Sequence, residues 1–524
     1  MTLVTEEGDK PRSTSDTEPS QSTTAPDAGV HPVDAHPGWA RLFGYGLQHV
    51  MAMYAGAVAV PIIVGGAMIA AGEMEPEHLP HLIVADLFVA GIASILQSLG
   101  ILRLGSRLPL MQGVTFASVA PMIVIGSQHG ITAIYGAVIA SGVMMMLIAP
   151  FFARLVRFFP PLVTGTVITI IGLSLMKVCA GWVSGGGGNP DNPGFGEPMN
   201  FLLAGATLAL ILAVAVLAPK SLRPLAVLAG IIGGTALAAA LGQVDFANVG
   251  EASWVAVPQP FLFGLPTFEI GSVLTMFVVG LVVMTETTGD IITVGKIVGR
   301  PADRRMISDG LRADGLSTIL GGIFNTFPYT AFAQNVGLVS MSKVASRWVA
   351  TMAGAILIVF GLLPKMGEVV AAIPSPVLGG AGLVLFGMVA ATGIRTLASV
   401  ELTDSKALVV AVSVSLGMLP TVLPAIYSSM PQVLQPLLGS GICAGAAAAI
   451  ILNVVLVGMP PKETPECETD ADGSELAAGD ADAAVADDVA DEAADAENAA
   501  VPAITDNTAT ETATENTAVA AGTR

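Results

Sequence analysis

The chain has 524 residues, of which 53% are hydrophobic and only 12% are charged. Soluble proteins carry about 25% charged residues, so this composition excludes an ordinary soluble domain and indicates a protein solvated mainly by lipid. The net charge of −19 gives no evidence for a nucleic-acid partner, because the excess acid lies at the two chain ends.

Two terminal segments contain most of the acidic excess. Residues 1–38 hold seven acidic and two basic residues, and residues 461–524 hold seventeen acidic and two basic residues. Neither has apolar periodicity, so we predict disordered tails that contribute nothing to the folded core, flanking a membrane domain at 39–460. The N-terminal segment also lacks the apolar run of a signal peptide. Three widely spaced cysteines predict neither a disulfide framework nor a zinc site.

Fourteen apolar blocks follow one another between the tails. Two of them are shorter than the roughly 20 residues that a helix needs to cross a bilayer, namely the third block at 114–127 and the tenth at 332–342. The blocks lie at about 41–60, 80–101, 114–127, 131–153, 160–178, 200–218, 223–241, 270–293, 306–322, 332–342, 345–364, 375–393, 406–424 and 436–458.

The charges of the connecting loops support this count. The loop after every even-numbered block carries Arg or Lys, whereas the odd loops are neutral or acidic, with Lys365 as the exception. Basic loops are typically cytoplasmic, and the alternation holds only if both short blocks are crossings. We therefore predict an all-α polytopic membrane protein with fourteen transmembrane segments and both termini in the cytoplasm.

An internal repeat indicates that the fourteen segments form two inverted halves. The fifth and twelfth blocks begin with similar sequences at an offset of 214 residues, and the two short blocks are third and tenth, which is the same place in each half. An odd number of crossings per half inverts the second copy, as in many transporters. The matching residues are Pro160, Val163 and Gly165 in the fifth block and Pro374, Val377 and Gly379 in the twelfth.

The stretch from Phe327 to Lys343, FPYTAFAQNVGLVSMSK, contains the second short block. Pro328 precedes its polar residues Gln334 and Asn335. Interrupted spans with polar residues at membrane depth indicate a transporter's binding site. A re-entrant loop whose amides bind only their own backbone is the alternative interpretation.

Several ionisable residues lie inside apolar blocks. Glu286 and Asp290 are four residues apart in the eighth block and so share one helix face. Intramembrane carboxylates are costly and usually functional, and this pair suits a group that takes up and releases a proton, although a structural pair beside Gly289 is the alternative. Asp314 in the ninth block is likewise a carboxylic acid inside an apolar run, so the same expectation of function applies to it. His49 in the first block is either a hydrogen-bonded packing residue or a functional group.

The third block contains QGVTF, in which Thr115 and Phe116 are predicted to face Gln334 if the halves interlock. An aromatic face can stack on a planar ring, but ordinary helix packing explains these residue types equally well.

The sequence QNVG at 334–337, followed by Ser342 and Lys343, resembles the signature of the nucleobase–ascorbate transporters, also called the xanthine/uracil permease family. Ser342 replaces the usual Thr and keeps its hydroxyl. Four further motifs resemble the family in order: QHVMAMYAGA, QGVTF, TETTGD and ADGLSTILGG. The resemblance covers about 40–460.

This resemblance implies a core domain of segments 1–4 and 8–11, at about 41–155 and 270–364. It implies a gate domain of segments 5–7 and 12–14, at about 160–241 and 375–458. Segments 3 and 10 would each be a short strand followed by a half-helix. The family resemblance also implies homodimers joined through the gate domains and elevator-type movement of the core.

By motif position, the resemblance implies roles for nine residues. Glu286 and Gln334 are expected to hold the base, and Ala57, Phe116 and Ala333 to line it. Thr115 is added for its residue type, because a small hydroxyl beside Phe116 could admit the extra oxygen of uric acid. The residues expected to tune proton coupling and affinity are His49, Asp290, Asp314 and Asn335, together with Glu286.

The side chain at position 334 narrows the expected substrate. Gln334 offers a donor and an acceptor on one amide, which suits an oxopurine edge. In the family a Gln here accompanies xanthine or uric acid, and a Glu accompanies uracil. We therefore expect proton symport of xanthine or uric acid across the cell membrane, without a cofactor.

Four alternatives remain open: a uracil or other pyrimidine permease, a sodium-coupled symporter, an anion transporter of the same architecture, and a channel. An asymmetric acid–amide pair argues against the channel. A membrane enzyme has no supporting nucleophile–base pair or metal cluster in the sequence.

Overall fold

The structure is a computed structural model that describes residues 30–185, 191, 193–219 and 222–458. The C-terminal tail predicted at 461–524 and most of the predicted N-terminal tail therefore lie outside the described residues. The helices are α1 Trp39–Ala70, α2 Leu79–Leu99, α3 Val119–His129, α4 Ile131–Ile148, α5 Phe152–Leu155, α6 Pro161–Ser184, α7 Pro198–Leu217, α8 Ala226–Ala240, α9 Ala247–Glu251, α10 Ile270–Ile297, α11 Arg304–Ile323, α12 Ala333–Ser342, α13 Arg347–Gly361, α14 Pro364–Ala371, α15 Ser375–Ala398, α16 Asp404–Val422, α17 Gln435–Gly439 and α18 Gly441–Leu452, and the strands are β1 Gln112–Val114 and β2 Tyr329–Ala331.

The described part of the chain is a helical polytopic membrane protein. Nine of its helices are long and apolar enough to cross a bilayer, or ten if α13 and α14, which meet at an 80° bend, form one span. Helix α11 falls outside this group because the eleven residues from Arg304 to Asp314 include five charged ones.

The long helices pack as two bundles. In the first bundle, α2 packs on α13, α4 on α11, α1 on α13 and α10 on α4. In the second, α6 packs on α15, α16 on α18 and α7 on α8. Glycines allow the closest crossings of the first bundle: a Cβ at Gly91 would lie 2.5 Å from the Gly354 oxygen, and one at Gly142 would lie 2.7 Å from the Gly315 oxygen. Small residues at such crossings are typical of membrane helices.

Each short apolar block is a strand followed by a short helix, which confirms the predicted breaks in the third and tenth segments. Strands β1 and β2 pair antiparallel, with Gln112 opposite Ala331 and Val114 opposite Tyr329. Backbone bonds continue on both sides: the Phe332 N–H donates to the Met111 oxygen at 3.0 Å, and the Thr115 N–H donates to Pro328 at 2.9 Å. Water is absent at membrane depth, so irregular backbone has to find such partners within the protein.

The outer edges of the two strands are held by hydroxyl groups of the flanking helices. The Gln112 N–H donates to Ser94 Oγ of α2 at 2.9 Å. The Tyr329 N–H donates to Thr318 Oγ1 of α11 at 3.2 Å. The two hydroxyl residues lie in similar sequences, AGIASIL in α2 and DGLSTIL in α11, at an offset of 224 residues. The two helices therefore make equivalent contacts to the strands that follow them.

The last part of the predicted N-terminal tail departs from the sequence expectation of disorder. Between residues 30 and 38, Val33 is fully buried in a cluster with Val336 and Val339 of α12. The Asp34 carboxylate contacts Arg347 at 2.8 Å and Arg300 at 3.3 Å. The expectation failed because this segment has too few apolar residues to show periodicity. Its structure depends on a single Val and on charges distant in the sequence.

This packing separates the effects of two N-terminal truncations. We expect removal of residues 1–29 to leave the melting temperature of the purified protein unchanged. Removal of residues 1–36 should lower its stability by about 1.5–3 kcal/mol, because the burial of Val33 is lost. Thermal unfolding of both truncations in the same detergent measures this difference, and equal melting temperatures would contradict the packing role of the segment.

Candidate functional site

Polar groups of the first bundle converge where the two strands lead into helices. A helical turn at Phe116–Ser118 continues β1 into α3, and α12 begins two residues after β2. Helix α10 contacts β2, α12 and the turn at 116–118. Helix N-termini carry unpaired N–H groups and partial positive charge, so this region favours acceptor groups of a ligand.

Glu286 and Gln334 are two half-buried polar residues at this place whose side chains are available to a ligand. Glu286 lies in the middle of α10 and Gln334 in the first turn of α12, and both are half-buried. Neither side chain forms a hydrogen bond with any described residue, whereas most polar side chains around them do. Ala333, beside Gln334, is exposed. The site can thus present a carboxylate and an amide to a ligand without breaking bonds of its own.

The Nδ2 group of Asn335, the next residue, is bonded within the protein, whereas its Oδ1 has no hydrogen-bond partner among the described residues. Its Nδ2 donates to the main-chain oxygen of His49 and to His49 Nδ1, both at 3.0 Å, and both residues are at least 98% buried. Since Nδ2 is a donor to both atoms, His49 Nδ1 acts as an acceptor in this arrangement. The pair joins α1 to the start of α12. Two residues predicted separately from the sequence are therefore brought together.

The Asp314 carboxylate forms a hydrogen bond with the side chain of Gln112, a residue that the sequence did not single out. Gln112 Nε2 donates to Asp314 Oδ1 at 2.9 Å, and both side chains are fully buried. Asp290 follows Glu286 by four residues on α10, so these two carboxylates lie on one face of that helix. Among the described residues, no group of His, Cys, Asp and Glu is placed to hold a metal ion.

An aromatic contact joins the two bundles at the site. The Phe116 ring meets the ring of Phe386 in α15 edge to face, with centroids 5.3 Å apart. Phe332 fills the space beside it: a Cβ at Gly56 would lie 2.9 Å from its ring, and one at Gly113 would lie 2.5 Å from it. Both glycines are therefore required for this ring to occupy its place.

The structure places Thr115 and Ala57 in packed positions. Thr115 Oγ1 accepts from the Ala117 N–H at 3.1 Å, so its hydroxyl caps the turn that leads into α3. Thr115 lies beside Pro328 rather than opposite Gln334, because the strands pair with Val114 opposite Tyr329. Ala57 is fully buried within α1.

Three side chains near the strands escaped the sequence analysis: Gln112, Phe386 and Asp86. Phe386 carries no local signal, since an aromatic residue in an apolar block is ordinary. Asp86 does carry one. It stands inside the apolar run LIVADLFVAG, and the criterion that selected Asp314 applies to it equally.

Two broken segments meet inside a helical membrane protein, beside polar groups that form no bond within it. This architecture is that of a transporter. The permease family model Xan_ur_permease matches residues 40–426, and the chain belongs to this family, the nucleobase–ascorbate transporters. Membership makes the chain a membrane transporter and not an enzyme, as the sequence indicated.

Characterised relatives cover most of the chain. It is 46% identical to the uric acid transporter UacT of Escherichia coli (strain K12), over 80% of this chain and 86% of that protein. It is 42% identical to the uric acid permease PucJ of Bacillus subtilis (strain 168), over 82% of this chain and 96% of that protein. It is 43% identical to the xanthine permease of the same organism, over 80% and 94%.

Solved structures support the fold. The transmembrane domain of the cyanobacterial bicarbonate transporter BicA superposes with a TM-score of 0.53 at 15% identity, covering 78% of this chain and 98% of that one. The murine anion transporter Slc26a9 in its inward-facing state gives a TM-score of 0.52 at 14% identity, covering 85% and 77%. At these identities the likeness concerns the fold alone.

The Gln112–Asp314 bond allows a test by exchanging its two groups. We expect Gln112→Glu to destabilise the protein by about 1–3 kcal/mol, because two buried carboxylates would then face each other without a donor. The double variant Gln112→Glu/Asp314→Asn restores an amide opposite a carboxylate and should recover most of this loss. Melting temperatures of the wild type, both single variants and the double variant measure the coupling. Additive losses would contradict the bond.

Proposed function

We propose that this protein is a secondary active transporter that takes up purine nucleobases, xanthine or uric acid, by proton symport. The observation that carries the proposal is the pair of uncommitted groups at the strand ends, the Glu286 carboxylate and the Gln334 amide. A carboxylate accepts from ring N–H groups, and an amide both donates to a carbonyl oxygen and accepts from a neighbouring N–H. This pattern matches the edge of an oxopurine. The relatives named as uric acid and xanthine permeases support the same substrate class.

The remaining site residues act around this pair in the proposal. Phe116 and Ala333 line the base, Ala57 backs the site from α1, and Thr115 acts by capping the turn that carries Phe116. Asp314, His49 and Asn335 tune coupling and affinity through their buried hydrogen bonds, and Asp290 does so through its place beside Glu286 on α10. Intramembrane carboxylates commonly form proton relays, which supports protons as the coupling ion.

We also propose fourteen segments in two inverted repeats of seven. With α13 and α14 counted as one span there are ten long apolar spans, and α11, α18 and the two strand–helix segments complete the number. The equivalent contacts of Ser94 and Thr318 to the two strands support the repeat. The basic loops then all lie on the cytoplasmic side, and both termini lie on that side too. The protein itself is placed in the cell membrane.

In the proposed mechanism, the first bundle with the strands is a core domain that moves against the second bundle, the gate domain. The Phe116–Phe386 contact between the bundles has to break during this movement. We propose that two gate domains join in a homodimer. Helices α7 and α16 are apolar and mostly exposed within one chain, which leaves apolar surface for lipid and a second copy.

Uptake of labelled compounds tests the proposed function. Cells expressing the protein are given xanthine, uric acid, hypoxanthine, guanine or uracil, with and without a protonophore, in sodium and in choline medium. We expect accumulation of xanthine or uric acid that the protonophore abolishes and that sodium does not change. Accumulation of uracil alone would contradict the purine assignment, and dependence on sodium would contradict proton coupling.

Glu286→Gln should abolish active accumulation of the purine. The amide cannot carry a proton, and it turns an N–H donor toward the ring N–H groups of the substrate. Protein in the membrane is quantified by immunoblot, and Glu269→Gln serves as a matched control because Glu269 precedes α10, outside the site. Near-normal accumulation by the Glu286→Gln protein would rule out this assignment.

Gln334→Glu should weaken purine binding by about tenfold to a hundredfold and favour uracil. An ionised glutamate would place oxygen against a substrate carbonyl oxygen, and a buried unpaired acceptor costs about 1–3 kcal/mol. Protonation of the introduced glutamate restores one donor, so the loss should be smaller at low pH. Competition by xanthine, uric acid and uracil is measured at two pH values. Unchanged purine affinity at the higher pH would show that Gln334 does not contact the base.

A further inference from the structure

Asp86 is a fully buried carboxylic acid in α2 for which the proposed transport mechanism has no use. Its Oδ1 accepts two hydrogen bonds, from Tyr329 Oη at 2.7 Å and from Thr326 Oγ1 at 2.9 Å. The two hydroxyl oxygens are also 3.2 Å apart. Within the described residues, Asp86 Oδ2 has no hydrogen-bond partner, and the carboxylate forms no ion pair. Burying an ionisable group at membrane depth costs free energy, and such residues usually have a function.

Tyr329, the main partner of Asp86, is the first residue of β2, the strand that leads to Gln334. Its ring is fully buried against α11, where a Cβ at Gly321 would lie 3.2 Å from Cε2. Its N–H is held by Thr318, as described above, and its hydroxyl is held by α2. The start of β2 is therefore fixed from two helices at once, five residues before Gln334.

The same arrangement recurs at the start of β1. Gln112 is the first residue of that strand, its N–H is held by Ser94 of α2, and its side chain is held by Asp314 of α11. Each of α2 and α11 thus holds the strand that follows it with a hydroxyl group and the opposite strand with an aspartate. Asp86 is the counterpart of Asp314 in this scheme, although the two aspartates occupy different turns of their helices.

We propose that Asp86 is a positioning residue for substrate binding, which acts through Tyr329 and Thr326 to fix β2 and hence the Gln334 amide. The inference rests on the proposed function, in which Gln334 holds the base. What Asp86 supplies is an acceptor oxygen at a fixed place between α2 and β2. A small misplacement of a binding group in a desolvated site lowers affinity strongly, because the hydrogen bonds there depend on distance and angle.

The test compares variants that remove the acceptor with one that keeps it. Asp86→Ala removes Oδ1, and Tyr329→Phe removes the hydroxyl while keeping the ring. Asp86→Asn keeps an acceptor oxygen and places the amide nitrogen at the position where Oδ2 has no partner. Tyr54→Phe is the matched control, since the Tyr54 hydroxyl is buried without a hydrogen-bond partner among the described residues.

We expect Asp86→Ala and Tyr329→Phe each to raise the KM for the transported purine about three- to tenfold, the factor that one net hydrogen bond contributes. Vmax per immunoblotted molecule should change less than KM. Asp86→Asn and Tyr54→Phe should keep the wild-type KM, and Asp86→Ala/Tyr329→Phe should be no worse than the worse single variant. Wild-type KM values in both Asp86→Ala and Tyr329→Phe would overturn the inference, and so would a KM for Asp86→Asn as high as that for Asp86→Ala.

A second measurement does not depend on the transported compound. Gln334→Cys in a Cys467→Ser background places a thiol at the substrate position, and its rate of maleimide labelling reports the exposure and placement of that position. The labelling rate should rise severalfold when Tyr329→Phe is added and should not change when Tyr54→Phe is added. An unchanged rate with Tyr329→Phe overturns the inference. Absence of purine uptake by the wild type, with the labelling effect intact, would overturn the proposed substrate but not the positioning role.

Discussion

The pairing of two three-residue strands in the middle of the first bundle is the interaction on which the rest of this structure depends. A chain that leaves helical geometry within a bilayer exposes N–H and C=O groups that lipid cannot satisfy. Here the two broken segments satisfy each other, and hydroxyl groups of α2 and α11 complete the edges together with Thr287 of α10, whose Oγ1 accepts from the Ala331 N–H at 3.2 Å. The arrangement gives two half-helices whose free N-terminal groups face the interior of the protein, which continuous helices would not provide.

The polar groups around the strands divide into those that are bound within the protein and those that are available. Asn335 is bound to His49, Gln112 to Asp314 and Tyr329 to Asp86, and each of these bonds joins different helices or strands. Glu286 and Gln334 make no such bond in the described structure. Because Glu286 and Gln334 are half-buried and have no bond to break within the protein, a ligand of matching pattern could bond to them without a loss of internal hydrogen bonds.

The contact between Phe116 and Phe386 connects this site to the second bundle. An edge-to-face aromatic pair is favourable by about 0.5–1.5 kcal/mol beyond the area it buries, which is small enough to break and reform during a transport cycle. The residues that hold the strands lie within the first bundle, so the movement between the bundles in the proposed mechanism would leave them intact. The Phe116–Phe386 pair is one of several contacts between the bundles, beside the packing of α1 on α8 and of α10 on α18.

The sequence by itself determined the membrane class, the two broken segments, the family and most of the polar residues at the site, because apolar length, loop charge and local motifs are properties of neighbouring residues. It also contained the signal for Asp86, an acidic residue inside an apolar run. Only the tertiary structure decided which groups are bound to which: that His49 meets Asn335, that Gln112 meets Asp314, and that Asp34 reaches Arg300 and Arg347. These partners are hundreds of residues apart along the chain. Their contacts depend on how the helices cross, and the crossings are set by the positions of glycines and by the register of the two strands.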